Sequence, residues 1–169
     1  NERFIADNKE GKLQDKSRRE ELTKGQSPYA IVLSCADSRV VPELAFDSGL
    51  GELFTVRVAG NVANSSSIAS MEYAVAHLGS EIILVMGHES CGAVTAAMNG
   101  GDKGFNLNHL LSHVAPAIAA SGKDSTVNDV LRNNAQLTGE ELQHPSPITR
   151  DHLATCTLPP PPPSYNSHP

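Results

Sequence analysis

No apolar run in the chain is long enough to cross a bilayer: the longest, such as Ile82 to Gly87, span about six residues, against the ~20 that a transmembrane helix requires. A basic excess is missing as well. Asp and Glu number 19 against 13 Lys and Arg, for a net charge of −6 and a pI near 5.6. That balance gives no footing for nucleic acid or an anionic membrane. Cysteine is scarce and odd in number, three in all, which speaks against a secreted disulfide framework. Two of the three stand near a histidine or acidic residues, as thiolate ligands in a reducing compartment would. There is no signal-peptide pattern, and the chain begins at Asn1 rather than Met. The expected location is the cytoplasm, or an organelle after removal of a leader. Internal repeats are also absent.

What is present suits one domain. With 169 residues and 39% apolar content, a core can form without covalent staples. Residues 1–25 are charged, with sparse apolar contacts at Phe4, Ile5, Leu13 and Leu22, and read as a helical arm. Three short apolar runs, Tyr29 to Leu33, Leu53 to Val58 and Glu81 to Met86, do not alternate with polar residues. Such runs read as strands buried on both faces of a parallel sheet. Between the second and third, Ile68, Met71, Val75 and Leu78 recur at helical spacing, and Gly79 supplies a stop. Strand, helix, strand implies a right-handed crossover. Three helices are expected beyond Cys91, over Ala93 to Met98, Leu107 to Ala120 and Thr126 to Leu137, parted by turns at Gly100-Gly101 and Ser121-Gly122. The expected fold is therefore α/β, a mainly parallel sheet flanked by helices.

The end of the chain changes character. Five prolines, Pro159 to Pro163, follow Leu158, and polyproline cannot join a sheet ladder. The domain is expected over 1–153, with 154–169 an extended or disordered tail.

Each predicted strand runs into a polar cluster: Ser34 to Arg39, Ala59 to Asn61, and Gly87 to Gly92. Ligands of open α/β sheets bind beyond the carboxyl ends of the strands, so the clusters should converge. Convergence brings Cys35, His88 and Cys91 into one crevice. Two thiolates and an imidazole suit zinc, and three protein ligands leave a fourth position for water, whose pKa zinc can lower to about 7. Asp37 and Arg39 can pair beside the metal, the carboxylate ready to accept a hydrogen bond from bound hydroxide. Asp37 and Ser38 can alternatively cap a short helix begun by Pro42.

Cys35-Ala36-Asp37-Ser38-Arg39, followed about fifty residues later by His88-Glu89-Ser90-Cys91, resembles the C-x-D-x-R and H-x-x-C signature of β-class carbonic anhydrases. The similarity runs from about Arg3 to Arg150, through Gly51 to Phe54, Arg57 to Val62 and Met71 to Val75. The resemblance implies one zinc per chain on Cys35, His88 and Cys91, an Asp37–Arg39 dyad, and reversible hydration of carbon dioxide to bicarbonate by zinc-bound hydroxide. Gln26, Phe54 and Tyr73 match positions lining the carbon dioxide pocket in plant-type members, reached across a dimer interface. Ala59 and Gly92 match small residues beside the metal. Ser38 and Gly60 complete the expected substrate-binding set. Some members close at lower pH, the aspartate taking the fourth zinc position, and Asp37 is placed to do so.

Two departures matter. The tryptophan of the family's non-catalytic bicarbonate site corresponds to Val32, and the chain contains no tryptophan, so that mode of inhibition is not expected. The hydrophobic edge strand that relatives place after the last helix is replaced here by Ala154 to Leu158 and the prolines. A missing edge strand would weaken the expected homodimer or higher oligomer. Alternatives on the same site are hydrolysis of carbonyl sulfide or carbon disulfide, or zinc binding without catalysis. His77, His109 and His113 show no partner pattern and default to solvated or core roles. Cys156 carries no assignment.

Overall fold

A computed structural model describes residues 1–143 and 148–149. Three short, largely apolar runs form strands β1 (Ala30–Ser34), β2 (Leu53–Arg57) and β3 (Ile82–Met86). Both outer strands pair in parallel with β1, giving the order β2-β1-β3. Their register aligns the carboxyl ends, because Ser34 lies opposite Arg57 on one side and Met86 on the other. The three loops that follow therefore leave the sheet at one edge, as parallel topology dictates.

Burial on both faces holds for β1 alone. Ile31, Val32 and Leu33 are at most 1% exposed, each stabilising the fold by about 1.5–3 kcal/mol relative to an exposed side chain. The outer strands are only half-buried along most of their length, and Ile82 is exposed. They are edges of the sheet among the described residues, so they lack the second neighbour and the cover that β1 has.

Helices pack against this sheet. The predicted crossover is α4 (Ser65–Leu78), which begins at an Asn64–Ser67 capping box and ends on left-handed Gly79. Its Met71, Ala74 and Val75 meet Ile31 and Leu33 of β1. The arm is not one helix. It forms α1 (Glu2–Ile5) and α2 (Lys16–Leu22), joined by a segment with left-handed turns at Asp7, Gly11 and Leu13. A short α3 (Pro42–Ala45) starts at its proline with Val41 as N-cap and no side-chain cap bond. Asp37 and Ser38 therefore do not cap it, and the Asp37 carboxylate is engaged elsewhere.

Beyond β3 come α5 (Gly92–Met98), α6 (Phe105–Ser112), α7 (Ala115–Ser121) and α8 (Val127–Glu141). The sequence pattern runs Leu107 to Ala120 as one helix, but the structure breaks it at His113-Val114. Pro116 has no N–H to donate back into α6 and sits in the first turn of α7, where none is needed. The final helix extends four residues beyond its predicted end, past Leu137 to Glu141. The predicted tail, the replaced edge strand and Cys156 lie outside the described residues. No described helix is long and apolar enough to cross a membrane.

One enclosed carboxylate gathers several of the bonds that hold the arm. Asp47 accepts the backbone N–H groups of Glu10 and Gly11, at 2.9 and 3.0 Å, and Nε of Arg3 at 2.5 Å. These donors hold its pKa down to about 2, against an ordinary 3.8. A depressed folded-state pKa means stability that is complete above the ordinary value and lost as pH falls through the lowered one. The gap in unfolding midpoint between wild type and Asp47→Asn is therefore expected to be widest above pH 3.8 and to close toward pH 2. A gap independent of pH would contradict the assignment.

Candidate metal centre

The shared sheet edge assembles the site. Cys35 directly follows β1, and His88 and Cys91 belong to the loop between β3 and α5. Ser90 turns the chain through a left-handed conformation, φ +54°, and Cys91 then occupies the N-cap of α5. Cys35 Sγ, Cys91 Sγ and a ring nitrogen of His88 lie within 4.8 Å of one another. All three residues are buried.

The sulfurs are 3.9 Å apart and not bonded. Zinc–sulfur bonds of ~2.3 Å at a tetrahedral angle put two thiolates about 3.8 Å apart, so the spacing fits a shared zinc. Protonation gives the same answer. The hydrogen bond from Cys91 pulls the Cys35 thiol well below its ordinary value, and the Gly60 N–H that donates to its sulfur acts the same way. The same pairing, joined by burial, pushes Cys91 up. Without a cation the two sulfurs thus share one proton, and both can ionise only with a positive charge between them. Imidazole chemistry agrees. His88 Nδ1 lies 3.0 Å from the Glu89 carbonyl oxygen, which can only accept, so the proton sits on Nδ1 and the Nε2 lone pair is free. That Nε2 is buried and has no hydrogen-bond partner. A buried orphan nitrogen beside two sulfurs is the arrangement of a metal-ligating imidazole fixed by a carbonyl behind it.

Asp37 and Arg39 form the predicted pair. Arg39 Nε and Nη2 donate to Asp37 Oδ1 and Oδ2 at 3.0 and 2.9 Å, and the Arg39 backbone N–H also reaches Oδ1 at 2.9 Å. The guanidinium contributes most to holding the carboxyl far below its usual range. Partly exposed ion pairs stabilise folds by only ~0–1 kcal/mol, so the value of this fork is orientation. It places Asp37 Oδ2 4.0 Å from His88 Nε2. Arg39 Nη2 also donates to the Ser90 carbonyl at 3.3 Å, tying the loop of Cys35 to the loop of Cys91.

Other expected positions divide. Ala59 and Gly60 lie in a single helical turn after β2, and the Gly60 N–H donates to Cys35 Sγ at 3.4 Å. Ser38 is exposed beside the dyad. Gly92 opens α5, but a Cβ there would meet nothing within 4 Å, so this chain alone gives no steric reason for glycine. Phe54 and Tyr73 have rings 6.5 Å apart, and Phe54 packs on the core that α4 makes with β1. Tyr73 is 52% exposed, and Gln26 is exposed. Phe54 pairs with Ile31, four residues before Cys35 on β1, and Tyr73 sits beside it.

Arg57, given no role by its sequence, closes β2 and donates Nε to the Cys35 carbonyl at 3.0 Å and Nη2 to the Asp37 carbonyl at 2.6 Å. Its signal was a charge ending an apolar strand. Lysine cannot span both carbonyls, so Arg57→Lys is expected to lower stability by about 1.5–3 kcal/mol, one charge-assisted bond. Denaturant unfolding measures this, and an unchanged midpoint would show that the clamp contributes nothing.

Known proteins resemble this arrangement. The carbonic anhydrase family profile matches residues 30–155. Carbonic anhydrase 2 of Mycobacterium tuberculosis is 42% identical over 164 residues, covering 94% of this chain and 79% of that protein. A Coccomyxa β-carbonic anhydrase solved with acetazolamide superposes with a TM-score of 0.72 at 27% identity, over 80% of this chain and 65% of that one. A tetrameric β-carbonic anhydrase of Sordaria macrospora gives 0.68 at 26%, over 81% and 75%. With its profile match, its 42% identical relative and its parallel sheet ending in a Cys-His-Cys cluster, the chain belongs to the β-class carbonic anhydrases, whose general reaction is the hydration of carbon dioxide.

Proposed function

We propose that Cys35, His88 and Cys91 hold one zinc ion per chain and that Asp37, oriented by Arg39, directs the attacking oxygen in reversible hydration of carbon dioxide to bicarbonate and a proton. The observation that carries this reading is the buried, unpartnered His88 Nε2 beside two sulfurs 3.9 Å apart. Zinc, when bound, supplies Lewis acidity that brings the pKa of water to about 7. The protein supplies the rest. Arg39 keeps Asp37 ionised, so the carboxylate accepts a hydrogen bond rather than donating one, and it fixes which way the incoming oxygen turns its lone pair. Arg57 holds the backbone on either side of Ala36. Val62 and Val94, both at most 1% exposed, pack in the same core as the two cysteines, and apolar packing of this kind strengthens every charge interaction beside it. A non-catalytic zinc site would have no use for the ordered dyad.

Exposed Gln26 and Tyr73, with Phe54 behind, support a homodimer or higher oligomer in which a second copy completes the pocket, as the tetrameric Sordaria relative supports. A domain boundary near residue 153 is supported by a family match that ends at 155. The reading is tested by stopped-flow carbon dioxide hydration on metal-quantified protein. Fast turnover at about one zinc per chain is expected. Zinc-loaded protein that ignores carbon dioxide but consumes carbon disulfide would replace the substrate assignment.

A further inference from the structure

Among the loops that build the centre, the one following β2 carries backbone strain. Gly60 and Asn61 both adopt left-handed conformations, at φ +72° and +46°, and Asn61 has a Cβ that disfavours this. Its own amide does not compensate: both side-chain polar atoms are buried without a partner. Strained turns persist only when their surroundings hold them. Asn134 does so here. It lies on α8, 2% exposed, interrupting the apolar stripe of Val130, Leu131 and Leu137. An amide buried there is costly unless it is bonded, and its Nδ2 donates to the Gly60 carbonyl at 2.9 Å from 74 residues away. The N–H of the same Gly60 donates to Cys35 Sγ at 3.4 Å.

We propose that Asn134 is a positioning residue of the metal centre: by pinning the Gly60 carbonyl it aims the Gly60 N–H at Cys35 Sγ and sets how strongly that sulfur donates to the metal. This rests on the reading of Cys35 as a zinc ligand. An N–H bond to a thiolate draws electron density from the sulfur. Loss of the bond makes the sulfur more electron-rich but leaves it less well oriented, and partners of this kind typically change metal affinity 10–100-fold.

The test uses the whole chain loaded with zinc or with cobalt. Asn134→Leu removes the donor at similar volume, and Asn134→Ser, too short to reach Gly60, repeats the test with a side chain that cannot overpack. Both are expected to lose zinc to a competing chelator about 10–100-fold more readily and to move the thiolate-to-cobalt charge-transfer band to longer wavelength. Leu137→Ala, on the same helix, is expected to lower the unfolding temperature while leaving affinity and band unchanged. If the wild type shows the band and the Asn134 variants leave it and the affinity unmoved, or if Leu137→Ala shifts both equally, the role of Asn134 is overturned. A wild type with no thiolate-to-cobalt band overturns the zinc-ligand reading of Cys35 and this proposal with it.

Discussion

Asp37→Asn protein is expected to keep its fold and its zinc while hydrating carbon dioxide about 10²–10⁴-fold more slowly, the range over which a positioned proton acceptor contributes. Asparagine preserves the shape of the side chain and can still accept the Arg39 backbone N–H at Oδ1. What it loses is the anion. Arg39 presents two parallel donors to two carboxylate oxygens, and an amide offers one oxygen and one NH₂, so one donor meets another donor. The fork opens, and the oxygen whose position it defined near His88 becomes a donor or turns away. Stability should change little, because partly exposed ion pairs contribute ~0–1 kcal/mol. Stopped-flow hydration beside metal analysis separates the two effects. Turnover within a few-fold of wild type would remove Asp37 from the mechanism.

Cys35→Ser is expected to cost zinc itself. A structural site binds zinc with ~10–16 kcal/mol; shared over four ligands, one thiolate contributes about 2.5–4 kcal/mol, so its loss weakens binding roughly seventy- to nine-hundred-fold. Serine is nearly isosteric, yet its hydroxyl does not ionise near neutral pH, so the donor set loses a negative charge as well as a soft atom. Chelator competition measures the loss, and activity should fall in step with metal content. Zinc held as tightly as in wild type would exclude Cys35 from the ligand set.

Local chemistry explains what could be read from the sequence. Ile31 to Leu33 and Ile82 to Met86 are continuously apolar and rich in β-branched residues, and α4 carries both its cap and its stop, so strands and crossover helix fell where predicted. The metal donors were legible because parallel strands must release their loops at one edge. Contacts between distant residues were not legible. A charge ending an apolar strand marks Arg57, but nothing local says that it clamps Cys35 and Asp37, or that Asn134 reaches Gly60. The arm read as one helix because its charges suit one, while the groups that unwind it belong to Asp47, 36 and 37 residues away. Pro116 was a readable break that apolar spacing on either side concealed. Gln26, Phe54 and Tyr73 were inferred from a family whose pocket spans two chains, so the residues of one chain do not by themselves display it.

The central claim is a zinc held by two sulfurs and one imidazole. X-ray absorption at the zinc edge of the full chain tests it most directly. The account predicts two sulfur scatterers at ~2.3 Å with nitrogen or oxygen at ~2.0–2.1 Å, and loss of one sulfur in Cys35→Ser. A first shell of nitrogen and oxygen alone, or sulfur content unchanged in that variant, would contradict it.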